Sequence, residues 1–399
     1  MTPPPPAGRR TALAGAAFLM ATSAVGPGFL TQTSLFTAQL LASFGFAILI
    51  SILVDLAAQL SIWRVVAVTR RRAQDLANAV VPGLGYLLAG LICLGGFAFN
   101  IGNVAGAGLG LDALAGLPVK VGAALSAAVA IGIFLVREAG RAMDRFALVM
   151  GFVMIALTLF VAISSGPSLP EAAFRTVWPA RIDVLAIVTL VGGTVGGYIS
   201  FAGAHRLLDA GVAGEDALPS VDRSAASAIG LASLMRILLF LAALGVVSRG
   251  GVLDPANPAA AVFRLASGEA GYRMFGLVMW AAAITSVVGS AYTSVSFLQG
   301  IVPSAERYRS RWIVGFIAAS TLVFLTVGRP VSVLVAAGAV NGLILPVSLG
   351  TMLLVTRRPA LVGSYRHPGW LLAAGVLVVV AMSVMGARTL LVELPRLFQ

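Results

Sequence analysis

The stretch Gly26-Pro27-Gly28 interrupts one long hydrophobic run of this 399-residue chain, and the stretch Gly192-Gly193-Thr194-Val195-Gly196-Gly197 interrupts another. Glycine and proline at this density predict that a helix is broken at each place. Lipid offers no partner for the backbone groups that a break releases, so the break must face protein, water or a substrate. Paired broken helices are typical of secondary transporters, which bind their cargo at the breaks.

The composition indicates a polytopic membrane protein, because 59% of the residues are hydrophobic and only 11% are charged. The single cysteine, Cys93, rules out an intrachain disulfide framework. The net charge of +12 does not indicate a nucleic-acid partner, because the basic residues lie between hydrophobic segments rather than on one face.

Roughly eleven spans can be drawn along the chain, each near the ~20 residues that a bilayer needs. Their approximate bounds are 11–42 (broken), 44–68, 84–112, 120–136, 146–165, 183–210 (broken), 225–247, 272–300, 312–327, 331–355 and 369–391. Four unbroken spans follow each broken one. We therefore predict an all-α fold with a 5+5 inverted repeat, about 11–165 and 183–355, plus one extra helix, 369–391.

The distribution of positive charge predicts the orientation. Most of the 27 Lys and Arg residues fall on one side of the membrane if the N-terminus is cytoplasmic. The beginning of the first span resembles a secretory signal peptide. Equally apolar residues follow it, so we expect an uncleaved transmembrane helix. Residues 1–10 are expected to be a disordered cytoplasmic leader, and residues 11–399 a single integral domain.

Polar residues beside the first break are candidate substrate contacts. They are Thr31, Gln32 and Thr33, with the backbone of Gly26, Pro27 and Gly28. The alternative interpretation is hydrogen bonding between helices, which is common for small polar groups in membranes.

The second break offers Gly193, Thr194, Gly196, Gly197 and Tyr198 as candidate substrate contacts. Glycines can also serve close helix packing. Two adjacent Gly-Gly pairs favour an unwound segment over a simple packing face.

Three ionisable residues are candidates for proton coupling or gating. Asp55 and Arg236 lie inside predicted spans, where charge is expensive and usually functional. Asp55 could carry a proton, and Arg236 could pair with it or hold a substrate carboxylate. His205, about two turns beyond Tyr198, could relay a proton in an inner vestibule or could be an interfacial histidine.

Span 3 carries Asn100 and Asn103 three residues apart, and therefore on one helix face. They could line a polar cavity or bridge neighbouring helices. The chain has no metal-ligand spacing and no hydrolase motif, so we expect no metal site, no cofactor and no enzymatic activity.

These features resemble the Nramp superfamily, the proton-coupled metal-ion transporters with the leucine-transporter fold. The resemblance covers nearly the whole chain. Its best segments are Asn103 to Gly110, Leu190 to Thr194, Ala281 to Ser286, and Val340 to Pro346.

The chain departs from the family at the metal site. Gly26-Pro27-Gly28-Phe29 stands where the family carries Asp-Pro-Gly-Asn, and Gly196-Gly197-Tyr198 stands where it carries Met-Pro-His. The family's span 3 carboxylate is replaced in the region of Asn100 and Asn103. A divalent cation would find neither charge nor soft ligands here. We expect the small glycines to open a larger cavity, and helix N–H groups to suit a carboxylate or lactam oxygen.

The leading hypothesis is proton-coupled uptake of a small organic solute, such as 5-oxoproline, by a monomer in the bacterial cytoplasmic (inner) membrane. The 5-oxoproline association is an analogy with a bacterial branch of the family. The alternative is a proton symporter for Mn²⁺, Fe²⁺ or Mg²⁺. A channel or a membrane sensor fits less well, because a channel would need a filter and a sensor an appended soluble domain.

Overall fold

The computed structural model describes residues 13, 16, 17, 20, 21, 24–299 and 301–393, with the backbone alone for 137–147 and 393. The predicted leader, residues 1–10, lies outside the described residues. Every regular element in the described part of the chain is helical.

Nine helical stretches of the described chain are long and apolar enough to cross a membrane. One of them, Pro27–Thr69, contains two helices, and the shorter apolar helix Val119–Leu135 adds another crossing. Each of the eleven predicted spans is therefore represented among the described residues, span 1 mainly by its second half. Spans 2 to 5 are Phe44–Thr69, Leu84–Ala115, Val119–Leu135 and Arg137–Ser165, and spans 7 to 11 are Leu218–Ser248, Pro258–Leu298, Arg309–Val327, Pro330–Val355 and Gly369–Arg388.

Short helices join several of these spans. They are Ala73–Val80, Leu169–Val177, Pro303–Arg307 and Pro359–Val362, with turns of 3-10 helix at Leu41–Ser43 and Glu215–Ala217 and a π-helical turn at Thr389–Glu393.

Span 1 is broken where the sequence predicts it. Val25 N donates to Ala21 O at 2.8 Å at the end of the first half. Gly26 is then extended, with φ −99° and ψ −174°, and the second half runs over Pro27–Leu40. Proline suits this first helical position, because its missing N–H would have had no partner there.

Span 6 is also broken as predicted. Its first half, Val184–Val195, is capped by the Asp183 side chain, which accepts a hydrogen bond from Ala186 N at 2.8 Å. Gly196 is extended and Gly197 has φ +54°, and the second half runs over Tyr198–Asp209.

Span 8 differs from its predicted bounds of 272–300. Helix begins at Pro258, is interrupted at Gly268 with φ +65° and ends at Leu298. The Asn257 side chain caps the start by accepting from Ala260 N at 3.3 Å. A capped helical segment therefore precedes the predicted start of the span.

Glycines allow the central helices to approach closely. A Cβ added at Gly110 of span 3 would lie 2.7 Å from Trp280 N of span 8, and one added at Gly276 would lie 2.6 Å from Leu114 N. Small residues at such crossings are the usual means of packing helices in a membrane. Spans 3 and 8 thereby form a close-packed wall beside both breaks.

Candidate functional site

The first break faces polar side chains of spans 3 and 8. A Cβ added at Gly26 would lie 3.3 Å from Ser286 Oγ and 3.6 Å from Asn103 Oδ1. Ser286 Oγ and Asn103 Nδ2 are buried and have no hydrogen-bond partner among the described residues. Buried polar groups are rarely left unpaired, so both atoms are candidates for contact with a ligand or with water.

Tyr198, the first residue after the second break, lies against the same region. Its side chain is buried, and its hydroxyl lies next to Asn103 and Ser290. The hydroxyl makes no well-formed hydrogen bond within the described part of the chain. Tyr198 thus adds a third unsatisfied polar group to the first break.

The glycines of the second break serve close packing. A Cβ added at Gly192 would overlap Gly338 O of span 10, and one added at Gly196 would lie 2.6 Å from Asn341 O. The expectation of a larger cavity is therefore wrong at these positions. Span 10 occupies the space that side chains would take, which is the alternative that the sequence left open.

Asn341 seals the second break. Its Nδ2 donates to Gly95 O and to Ala337 O, both at 2.9 Å. Its Oδ1 lies where a Cβ at Gly197 would stand. A side-chain amide from span 10 thus fills the gap between the two half-helices of span 6.

Gln32 connects the two breaks. Its Nε2 donates to Leu334 O of span 10 at 2.8 Å, and its Oε1 would lie 3.0 Å from a Cβ on Gly193. The Oε1 atom has no partner among the described residues. The predicted contact Gly28 lies beside the same amide, with Gln32 Nε2 at 3.4 Å from its added Cβ.

The remaining polar residues of span 1 behave differently from one another. Thr33 Oγ1 donates to Phe29 O at 2.7 Å, so its hydroxyl serves its own helix. Thr31 Oγ1 and Ser34 Oγ are buried and have no partner in the described structure. Of the predicted contacts, Thr31 is therefore better placed than Thr33 to bind a ligand.

Arg236 of span 7 reaches the broken helices from the side. Its Nη1 donates to Thr194 Oγ1 at 3.0 Å, and its Cζ lies 4.2 Å from the centre of the Phe29 ring. Its Nε and Nη2 atoms are buried without a partner among the described residues. A guanidinium can donate five hydrogen bonds, so much of its capacity is free.

Asp55 of span 2 belongs to the same cluster. It is 1% exposed, Arg236 is 2% exposed, and Thr194 lies beside both side chains. Both residues are described, and no nitrogen–oxygen distance of 4.0 Å or less joins them. The hydroxyl of Thr194 therefore separates the two charges, which attract each other without forming a direct ion pair.

Asn100 and Asn103 have different surroundings although they share a helix face. Asn100 Nδ2 donates to Ser320 Oγ at 2.8 Å, and Asn100 Oδ1 accepts from Ser290 Oγ at 2.8 Å. Asn100 thus bridges spans 3, 8 and 9, while Asn103 faces the first break.

His205 lies in a packed junction in the second half of span 6. Its Nε2 accepts from Ala73 N at 3.3 Å, and its ring packs at 5.0 Å from the Phe297 ring. Nearby, Trp63 Nε1 donates to Ser200 O at 2.8 Å and Arg72 pairs with Asp209 at 3.0 Å. These contacts tie the half-helix to span 2 and place His205 in that junction rather than at the first break.

Sequence reasoning missed two features of this region. Ser286, Ser290 and Ser294 recur every four residues and so share a face of span 8, which is a readable signal. The contact of Phe29 with Arg236 had no local signal, because the two residues are far apart in the chain.

The apolar helices of the described residues, broken in the first and the sixth span and packed around buried polar groups, have the architecture of the leucine-transporter fold. Two solved structures share this fold. The manganese transporter of Eremococcus coleocola, in complex with an aromatic bis-isothiourea substituted compound, has a TM-score of 0.79 at 17% identity, over 97% of this chain and 88% of that one. MhsT in complex with L-phenylalanine has a TM-score of 0.62 at 15% identity, over 96% of this chain and 98% of that one.

The family is shown by the sequence. The model of the natural resistance-associated macrophage protein-like family, Nramp, matches residues 17–392. The chain belongs to this family of transporters. It is also similar to the uncharacterized membrane protein YcsG of Bacillus subtilis (strain 168), with 56% identity over 98% of this chain and 97% of that protein.

Proposed function

We propose that this protein is a secondary transporter that carries a small organic anion, together with a proton, by alternating access. The observation that carries the proposal is the guanidinium of Arg236. It is buried at the broken helices and has two donor atoms, Nε and Nη2, without a partner among the described residues. A carboxylate fits such a donor pair, since arginine binds carboxylates through parallel hydrogen bonds.

The other unpaired groups suit an amide or lactam on the same cargo. Asn103 Nδ2, Ser286 Oγ and the Tyr198 hydroxyl are neutral and buried at the first break. Asn103 Nδ2 can donate to a carbonyl oxygen, and the hydroxyls can donate or accept. A cargo with a carboxylate at one end and an amide at the other, such as 5-oxoproline, matches this set.

The charges also speak against a divalent cation as cargo. A cation near Thr194 would approach the fixed positive charge of Arg236, and repulsion is strong where water is scarce. Gly26 and Phe29, at the first break, offer no charged or soft side chain. The described residues include no group of three or more His, Cys, Asp or Glu side chains that could hold a metal ion.

The fold does not choose between these cargoes. One solved structure of this fold is a manganese transporter and another binds L-phenylalanine. The choice therefore depends on the side chains at the breaks, which in this chain favour an anion.

Asp55 supplies the proton in this proposal. In the structure Arg236, across the hydroxyl of Thr194, favours a negative charge on Asp55, while burial of the carboxylate disfavours it. When a carboxylate takes the free N–H groups of Arg236, Asp55 loses much of this compensation and binds a proton. One anion is then carried with one proton, and the site stays close to neutral inside the membrane.

We further propose that the protein is a monomer in the bacterial cytoplasmic membrane with a cytoplasmic N-terminus. The distribution of its arginines supports this orientation. The transport unit is one domain, residues 11–399, with repeats at about 11–165 and 183–355.

Calorimetry on purified protein tests the cargo. The ligands compared are 5-oxoproline, other small carboxylates, the neutral lactam 2-pyrrolidinone, Mn²⁺ and Mg²⁺. We expect at least one carboxylate to bind, and 2-pyrrolidinone to bind about tenfold more weakly than 5-oxoproline, because it lacks the charged hydrogen bonds.

Arg236→Lys keeps the charge but loses the paired donors, so carboxylate affinity should fall by about tenfold or more. The control Arg264→Gln removes an exposed arginine paired with Glu269 and should leave affinity unchanged. Saturable Mn²⁺ binding without any response to carboxylates would show that the chain is a metal transporter instead.

A further inference from the structure

An apolar groove lies on the outside of the bundle, away from the broken helices. Its volume is about 500 Å³. It runs between span 3, the end of span 8 and the start of span 9, and six of its lining residues are Phe97, Tyr308, Arg311, Trp312, Phe316 and Ala319.

The length of the groove along span 9 is close to the thickness of one membrane leaflet. Arg311 and Tyr308 stand at the start of span 9, and Ala319 lies eight residues after Arg311. At 1.5 Å per residue this is about 12 Å, close to half of the hydrocarbon thickness of a bilayer. A groove with a charged end and an apolar floor of this length fits an acyl chain below a polar headgroup.

Two arginines lie at the charged end. The Cζ atoms of Arg307 and Arg311 lie 5.4 Å and 5.2 Å from the centre of the Tyr308 ring, which lines the groove. Stacking on tyrosine holds a guanidinium in place while its N–H groups stay available.

These arginines lack acidic partners. Neither Arg307 nor Arg311 has an acidic oxygen within 4.0 Å among the described residues. The positive charge at this end of the groove is therefore left for a ligand to balance.

We propose that this groove binds one anionic phospholipid, with the phosphate at Arg307 and Arg311 and one acyl chain against Phe97 and Phe316. Each half of the site selects for such a lipid. A soluble phosphate would contact the arginines but leave the groove unfilled, and a zwitterionic lipid would fill the groove but balance the arginines poorly. The site is independent of the cargo proposed above.

Native mass spectrometry of the detergent-purified chain tests this site. Phosphatidylglycerol, phosphatidylcholine with the same acyl chains, and glycerol 3-phosphate are titrated separately. We expect one tightly bound phosphatidylglycerol and at least tenfold weaker binding of the other two, since each contacts only half of the site.

Three variants locate the binding. Arg307→Gln with Arg311→Gln should weaken phosphatidylglycerol binding by tenfold or more. Gly315→Leu should weaken it similarly by filling the groove, and the fold should persist because a Cβ at Gly315 would meet nothing within 4 Å. The matched control, Arg357→Gln with Arg358→Gln, removes the same charge from exposed arginines in another loop and should have no effect.

Equal binding of the two lipids would overturn the proposal, as would equal losses in the double variant and its control. Binding of glycerol 3-phosphate as tight as that of phosphatidylglycerol would show a soluble-anion site and would also overturn it. Unchanged lipid binding in Gly315→Leu would show that the acyl chain does not lie in the groove, and this result would also overturn the proposal.

Discussion

The two helix breaks look alike in the sequence but have opposite surroundings. At the second break, span 10 fills the space beside Gly192, Gly196 and Gly197 with its backbone and with Asn341. At the first break, Gly26 faces Ser286 and Asn103, whose polar atoms are unsatisfied within the described chain. The second break is packed against span 10, with the Asn341 Oδ1 atom as its polar atom without a partner in the described chain, whereas the first break is lined by several such atoms.

The backbone supports the same distinction. Gly197 has φ +54°, a conformation that residues with a Cβ rarely adopt. Gly26 has φ −99° and ψ −174°, which any residue can adopt. A side chain at position 26 is therefore limited by space rather than by backbone conformation, because Ser286 Oγ would lie 3.3 Å from its Cβ.

The largest expected effect is that of Gly192→Ala on folding. The added methyl group would overlap Gly338 O and Gly342 N, which belong to the backbone of span 10 and cannot rotate away. We expect a loss of about 1–3 kcal/mol in the free energy of unfolding, the usual cost of overpacking. Thermal unfolding in detergent measures it.

Gly90→Ala is the matched control for this change. A Cβ at Gly90 would meet nothing within 4 Å, so this helical alanine should be neutral or stabilising by about 0.5–1 kcal/mol. If Gly192→Ala unfolds at the wild-type temperature, span 10 moves easily and the second break is not sealed as described.

Gly26→Ala should affect binding more than folding. Its methyl group would lie 3.3 Å from Ser286 Oγ, a hydroxyl that can turn aside, so stability should change by less than about 1 kcal/mol. Cargo affinity should fall by about tenfold, because one misplaced methyl group in a binding pocket costs that much. Calorimetry with the best carboxylate ligand and thermal unfolding together separate the two effects.

The control for Gly26→Ala is Gly289→Ala on span 8, where a Cβ would meet nothing within 4 Å. Its affinity should match that of the wild type. Normal affinity in Gly26→Ala would mean that the first break does not line the cargo site, and the contrast between the breaks would lose its functional meaning.

The smallest expected effect is a change of folding stability with pH that comes from His367. It must be known before any pH effect on cargo binding is assigned to Asp55. Burial and, second, the charge of Arg64 lower the pKa of His367 from 6.5 to about 4. Between about pH 4 and pH 6.5 the histidine is mostly neutral in the folded chain, whereas in the unfolded chain it binds a proton below about pH 6.5. Stability should therefore fall as the pH drops from about 6.5 towards 4.

His367→Gln tests this slope. Its unfolding temperature should depend less on pH between about 7 and 4.5 than that of the wild type, because the side chain no longer titrates. His367 is only partly buried, beside the Tyr365 hydroxyl at 3.0 Å, so the difference will be modest. Parallel pH profiles of the two proteins would contradict the assignment, and any pH effect on binding would then need another origin.

Hydrophobic length and helix-breaking residues gave correct predictions for the architecture. Both breaks are where Gly26-Pro27-Gly28 and Gly196-Gly197 predict them, and the spans follow the predicted order. Proline, glycine and the apolar run length act within a few residues of their own position, and the bilayer fixes the length of each run. The family resemblance added the fold, which the solved structures confirm.

Contacts between distant residues were harder to predict. The sequence placed Asp55 and Arg236 in the membrane but left their relation open, and the structure inserts Thr194 between them. Asn100 and Asn103 share a helix face, yet one bridges three helices and the other faces the first break.

The sequence alone thus determined that this is a helical membrane protein with two broken spans, because composition and helix-breaking residues act locally. Tertiary structure alone decided which break is sealed. Positions 26 and 197 carry the same amino acid, glycine. They differ only because Ser286 approaches Gly26 and Asn341 approaches Gly197. Such approaches depend on the packing of spans that are separated by more than a hundred residues, and no local pattern encodes them.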